Sequence, residues 1–170
     1  MFLEMAAERY SVRKYKANPV EEEKIAAILE AARLAPTACN YQPQKIYVVK
    51  SEEKRAALAK VTPCTFNAPV VFVVGYDADR SAKGLVTDTH DFCVTVAAIV
   101  CTHMMFAAHE QGLGSCWVGC FKEAEVKEAL GLPDNIRVRD FLPVGYAADD
   151  AKPAPLHLKS RELDDMVEIL

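Results

Sequence analysis

Three features of the 170-residue chain predict an α+β fold. An amphipathic helical pattern runs from Glu21 to Arg33, a short apolar run (PVVFVVGY) spans Pro69 to Tyr76, and a long uncharged stretch covers Phe92 to Ala108. Around them the pattern gives four main helices and four short strands, with no regular β-α alternation. That order argues against a doubly wound parallel sheet. The length suits one domain spanning residues 1–170, which would bury roughly 68–70% of its unfolded surface. With 51% hydrophobic and 26% charged residues, the composition is that of a folded chain.

Met1 to Arg9 reads as a short helix with Phe2, Met5 and Ala6 on one face. Ser11 to Tyr15 follows as an extended segment, and Asn18-Pro19 breaks the chain. In the next helix Ile25, Ile28, Leu29 and Ala32 recur at helical spacing, and Pro36 ends the pattern. Lys45 to Val49 has strand composition, and Glu52 to Val61 reads as a charged helix. Pro69 to Tyr76 is a buried strand. From Leu85 to about Gln111 nothing strongly breaks a helix, and after Phe92 it is apolar on nearly every side. Packing must therefore cover it all round, and a partner subunit is one source of that cover.

Gly112-Leu113-Gly114 closes this helix, and Ser115 to Val118 reads as a short strand running into Gly119. Glu123 to Leu130 is a short helix before Gly131 and Pro133. Ile136 to Gly145 is a strand in which Pro143 predicts an edge position or a bulge. Pro153 and Pro155 lie in an extended arm, and a final short helix is predicted over Glu162 to Ile169.

Composition narrows the function. A net charge of -4 and a pI near 5.6 disfavour nucleic acid as a partner. The Phe92 to Ala108 stretch falls short of the roughly 20 residues of a membrane span and carries His103, so no membrane partner is expected. Met1 to Tyr10 lacks the pattern of a targeting segment. The six cysteines (Cys39, Cys64, Cys93, Cys101, Cys116, Cys120) form no CxxC, and free thiols in a cytoplasmic protein are expected.

Several motifs are rejected on their context. Gly112-Leu113-Gly114 follows a helix and precedes a strand, the reverse of a dinucleotide-binding fingerprint. His90, Cys93, Cys101, His103 and Cys116 lack paired ligand spacing, so no metal is expected. There is no G-x-S-x-G elbow, and nothing nearby in sequence activates Cys39 as a nucleophile. What remains is basic residues at both ends. Arg9 and Arg13 flank Ser11 near the start, and Lys159 and Arg161 lie near the end. Both clusters suit a small, compact anion such as a phosphate monoester. The turn-rich stretch Pro36 to Pro43 offers polar groups to a flat heterocycle.

Four segments in order resemble the nitroreductase family of FMN-dependent oxidoreductases, specifically its compact members. They are Arg9-Tyr10-Ser11-Val12-Arg13-Lys14-Tyr15, then Ala35-Pro36-Thr37-Ala38-Cys39-Asn40-Tyr41-Gln42-Pro43, then Ala107-Ala108 with Gly112 to Gly119, and finally Lys159-Ser160-Arg161. The resemblance implies a central, mostly antiparallel sheet flanked by helices, a long buried helix, and a homodimer with exchanged C-terminal arms. It implies two FMN sites at the dimer interface. Arg9, Lys159 and Arg161 would hold the FMN phosphate, with Tyr10 in the same binding segment. Ser11 and Arg13 would contact the ribityl chain and the pyrimidine edge. Asn40 and Gln42 would reach the flavin from the other subunit, with Asn67 a further contact. Trp117, Val118 and Gly119 would line the ring, a backbone N–H of Gly119 lying near N5.

The implied activity is hydride transfer from NADH or NADPH, through flavin N5, to a small planar acceptor such as a nitroaromatic or quinone, by ping-pong exchange. No protein nucleophile is required; Arg13 and Gly119 give electrostatic support. His103 stands where many relatives carry Asn, and the short span from Val118 to Glu123 implies an open pocket. Two alternatives share the resemblance: other flavin chemistry on the same fold, and a flavin-binding dimer without turnover.

Overall fold

A computed structural model describes residues 1–80 and 92–170. The elements in chain order are α1 (Phe2–Glu8), α2 (Glu22–Leu34), β1 (Gln44–Val49), α3 (Glu52–Val61), β2 (Val70–Asp77), α4 (Phe92–Glu110), β3 (Gly114–Ser115), α5 (Glu123–Leu130) and β4 (Ile136–Gly145). The strands form one antiparallel sheet in the order β1-β2-β4-β3. Helices α2 and α4 cover one face, over Phe72, Val74, Leu142 and Val144. Helices α3 and α5 lie by the other, over Val71, Val73, Val138 and Phe141. Val70 to Tyr76 are therefore buried on both faces, which is why β2 reads as a continuous apolar run.

Local chemistry sets the helix ends. Ser51 accepts from the Lys54 amide at 3.3 Å and caps α3. Ala35, the residue before Pro36, adopts an extended conformation (φ -60°, ψ 136°) and stops α2. Acidic Glu22 and Glu23 open α2 and Arg33 closes it, matching the helix dipole.

The long apolar helix is confirmed from Phe92 onward; its predicted start at Leu85 lies outside the described residues. At 19 residues α4 is long and apolar enough to cross a membrane by length and composition, where the sequence stretch was expected to fall short. Its packing is that of a core helix. Eight of its residues, including Val96, Val100 and Met104, are buried against the sheet and α2.

Three expectations are corrected. Pro143 is not on an edge strand, because β4 pairs with β2 on one side and β3 on the other. It is tolerated because its backbone polar edge faces the short β3 side, where its carbonyl accepts from the Cys116 amide at 3.3 Å. The bulge in β4 lies elsewhere. Val74 opposes Asp140 while Gly75 opposes Val138, leaving Arg139 as the extra residue. The predicted strand from Ser115 to Val118 shortens to Gly114–Ser115 plus one bridge at Val118, which exchanges bonds of 2.9 and 2.8 Å with Phe141. The helix predicted over Glu162 to Ile169 is only a 3₁₀ turn at Leu163–Asp165. Every residue of that segment is exposed, and so short a helix does not persist without packing.

The bulge depends on Gly75. A Cβ there would lie 2.1 Å from the Arg137 carbonyl oxygen, a backbone atom that cannot move aside alone. Gly75→Ala is expected to destabilise the fold by about 1–3 kcal/mol or more, read as a lower urea midpoint with an unchanged m-value.

Candidate functional site

The N-terminal segment after α1 is stitched to the sheet edge beside β3. Ser11 bridges Ser115 in parallel, and the Val12 amide donates to the Ser115 carbonyl at 2.9 Å. Further on, the Lys16 amide donates to the Tyr146 carbonyl at 2.8 Å and the Ala148 amide to the Lys14 carbonyl at 3.0 Å. Close approach needs Gly114, where a Cβ would lie 2.6 Å from Val12 Cγ2. Tyr15 pins the segment from below. Its hydroxyl lies 2.8 Å from the Val12 carbonyl and 3.1 Å from that of Pro143. Burial first, then the neighbouring Cys116, push the Tyr15 phenol well above its ordinary pKa, so it remains a donor.

Of the predicted basic residues, this docking places Arg9 and Arg13 beside the sheet edge. Burial raises the Cys116 thiol pKa, and Arg13, a hydrogen bond with Ser11, and Arg9 all act to lower it. Arg9 lines one cavity beside the sheet edge, and Ser11 and Arg13 line another. Arg9 Nε is buried and has no hydrogen-bond partner. An unpaired buried donor costs about 1–3 kcal/mol, and more when charged. An anion seated there would offset that cost, and this is the observation against which a phosphate-bearing cofactor fits.

Two cavities flank the segment. One of about 200 Å³ is lined by Arg9, Tyr10, His109 and the Gly112–Ser115 backbone. The other, about 280 Å³, is lined by Ser11, Arg13, Lys14, Asp150, Ala151 and Lys152. Lys14 pairs with Asp150 at 2.5 Å, and Arg13 Nη1 donates to the Ser11 carbonyl at 3.3 Å. Neither cavity reaches the 300–1,000 Å³ typical of an enclosed organic ligand. A larger hollow of about 550 Å³ lies at α5 among Glu123, Lys127, Glu128 and Arg137, and contains no predicted site residue.

Trp117 is 36% exposed and Val118 is buried, while a Cβ added at Gly119 would meet nothing within 4 Å. The backbone at Gly119 is open to a flat group. His157, on the C-terminal arm, packs edge-on to Tyr10 at 6.2 Å between ring centroids, so the arm returns to the Arg9 segment. Lys159 is exposed two residues further on, and the Arg161 guanidinium donates to the Asp165 carbonyl of the arm itself.

Asn40 and Gln42 lie elsewhere, in the turn before β1 at the opposite sheet edge. Gln42 Nε2 donates to Asn40 Oδ1 at 2.9 Å, and both residues have left-handed φ, 49° and 55°. Asn67 is exposed and lines a third cavity with Arg55. Within one protomer, neither group joins Arg9. His103 Nδ1 lies 2.8 Å from the Ile99 carbonyl, bonded within its own helix. Three contributors escaped the sequence reading: Tyr15 as anchor, His109 beside Arg9, and Asp140, whose Oδ1 accepts from Trp117 Nε1 at 2.6 Å. Only Asp140 carried a signal, a carboxylate inside an otherwise apolar strand end.

Fold and site together define an α+β protein with a partly buried cationic edge beside an open backbone. Comparison with known proteins narrows the class. The Nitroreductase family matches residues 6–65 and 62–146, and the chain belongs to that family. A nitroreductase family protein from Clostridium difficile 630 has 34% identity and a TM-score of 0.90, covering 99% of this chain and 97% of its own. An FMN-dependent nitroreductase from Clostridium difficile R20291 has 27% identity and a TM-score of 0.81, with 98% of both chains covered. A Bacillus subtilis (strain 168) FMN reductase [NAD(P)H] is 28% identical over 163 residues, 85% of this chain and 65% of that protein.

Tyr15→Phe removes the hydroxyl that ties Val12 to Pro143. It is expected to cost about 1–3 kcal/mol, with faster hydrogen exchange at the Val12 amide than in the β2 amides.

Proposed function

We propose that this chain is an NAD(P)H-dependent FMN oxidoreductase acting on small, planar, electron-poor acceptors such as nitroaromatics or quinones. The observation that carries the reading is the buried, unpartnered Nε of Arg9 at a docked edge segment. A surface arginine has no need of a partner, whereas this one sits where a phosphate would complete it. FMN reductase and FMN-dependent nitroreductase activities appear in the names of two similar proteins.

When bound, FMN supplies the ring that takes up a hydride from the nicotinamide and passes electrons on. The chain's own residues bind, orient and polarise. Arg9 would hold the phosphate, with Lys159 and Arg161 of an arm as further cations. Arg161 Nη2 contacts the Asp165 carbonyl, which leaves its other N–H donors for a phosphate. Ser11 and Arg13 would meet the ribityl chain and the pyrimidine edge, where the fixed charge of Arg13 favours negative charge without reorganisation. Trp117, Val118 and the open backbone of Gly119 would border the ring, leaving room for donor and acceptor in turn.

The proposed working form is a homodimer. Asn40 and Gln42 lie three strand spacings from β3, about 14 Å across the sheet. They would therefore serve the Arg9 edge of a second copy. The exposed arm residues Leu156, Leu158 and Leu163 would find cover in an arm exchange. Cytoplasmic nicotinamide pools would supply the donor.

Anaerobic mixing of the FMN-loaded protein with NADH and with NADPH should bleach the flavin band with at least one of them. Bleaching with neither favours a binding protein without turnover. Arg9→Ala should weaken FMN affinity at least tenfold, as loss of a charged hydrogen bond worth about 1.5–3 kcal/mol predicts, with a smaller effect on reduction of the flavin still bound. Unchanged affinity would rule out the phosphate role.

A further inference from the structure

Trp117 is the only tryptophan in the chain, and it stands beside the open space at Gly119. Its indole is tied at the far end by the 2.6 Å bond from Nε1 to Asp140 Oδ1. Strand geometry explains why the carboxylate is there. Phe141 faces α3 and α5, so Asp140 and Leu142 turn toward α4 on either side of it. The position is a poor one for a charge. Burial raises the Asp140 pKa, while the Trp117 N–H and the Arg139 guanidinium lower it. Across from it on α4, the Cys101 thiol is pushed up by burial first and by Asp140 second. The position is half-buried, next to the fully buried Val74 opposite and Leu142 along the strand.

We propose that Asp140 is a positioning residue that fixes the Trp117 indole as a wall of the acceptor opening, and thereby sets which planar acceptors enter. The inference rests on the oxidoreductase reading above. An indole that is one-third exposed and held only by its own side-chain bonds samples several rotamers. A charge-assisted bond at its outer edge selects one of them. A flat acceptor stacks well only against a wall whose plane is fixed. No proton or electron passes through Asp140.

The test uses the purified full chain and two readouts. Asp140→Leu removes the acceptor oxygens at similar volume, and Asp140→Asn keeps one. Acrylamide quenching of Trp117 emission should at least double in the Leu variant and stay within about 30% of the parent in the Asn variant. In steady state with 1,4-benzoquinone, the Leu variant should show a KM five- to tenfold higher. Its KM for ferricyanide, which need not stack, should change less than twofold. Trp117→Phe retains a ring without the N–H and should reproduce the quinone effect if the Leu variant folds poorly. Unchanged quenching, or equal KM changes for both acceptors, overturns the proposal. Failure of the FMN-loaded parent to bleach with either nicotinamide overturns the oxidoreductase reading instead, and the quenching result still decides whether Asp140 holds the indole.

Discussion

The docking of residues 11–16 along the sheet edge is the constraint on which the site depends. β3 has only two residues, so the sheet would otherwise end on an abrupt open edge. The N-terminal segment covers that edge through the Val12 and Lys16 amides, and Tyr15 locks it from beneath. Arg9 is half-buried just before this covering segment, with its Nε enclosed. In a detached segment Arg9 would be an ordinary solvated cation with no demand for an anion. Sheet completion thus bears on the proposed anion site, because whatever loosens the segment also exposes Arg9 to water.

The bulge at Arg139 has a comparable double effect. An uninterrupted strand would place Val138 and Phe141 on opposite faces, because side chains alternate with a period of two. With one extra residue between them, both reach the α3 and α5 side, where Phe141 stacks on Phe121 at 4.2 Å. The same shift turns Asp140 to the α4 face beneath Trp117. A local irregularity thus serves the core and reaches the edge of the site.

What could be read from the sequence was whatever has a period or a chemical stop signal. Ile25, Ile28 and Ala32 mark the buried stripe of α2, and Pro36 marks its end. The apolar run of β2 announced a strand covered on both faces. Pro143 misled because its missing N–H was weighed without knowing which side of β4 had a short partner. Glu162 to Ile169 misled because composition favours a helix that no surface supports. Among the predicted site residues, Arg9, Ser11 and Arg13 stood out as a motif, and they line two neighbouring cavities at the β3 edge. The partners of the anchors were not visible. Tyr15 meets Pro143 across 128 positions, and Trp117 meets Asp140 across 23. Hydrogen bonds over such separations leave no local pattern.

The placement of the predicted site residues at two sheet edges bears on how the proposed oxidoreductase would work. A protomer offers cations at the β3 edge and the polar Asn40 turn at the β1 edge, with the whole sheet between them. Its two edge cavities are each too small for a flavin nucleotide. Helix α4, apolar almost all round, leaves Val94, Ile99, Phe106 and Ala107 only partly covered. Such a flank costs free energy in water unless another surface meets it. If a second copy packs along α4, burying that flank brings the turn of one chain toward the cationic edge of the other. The same hydrophobic contact would then enclose the ligand, and FMN retention would be coupled to dimer stability.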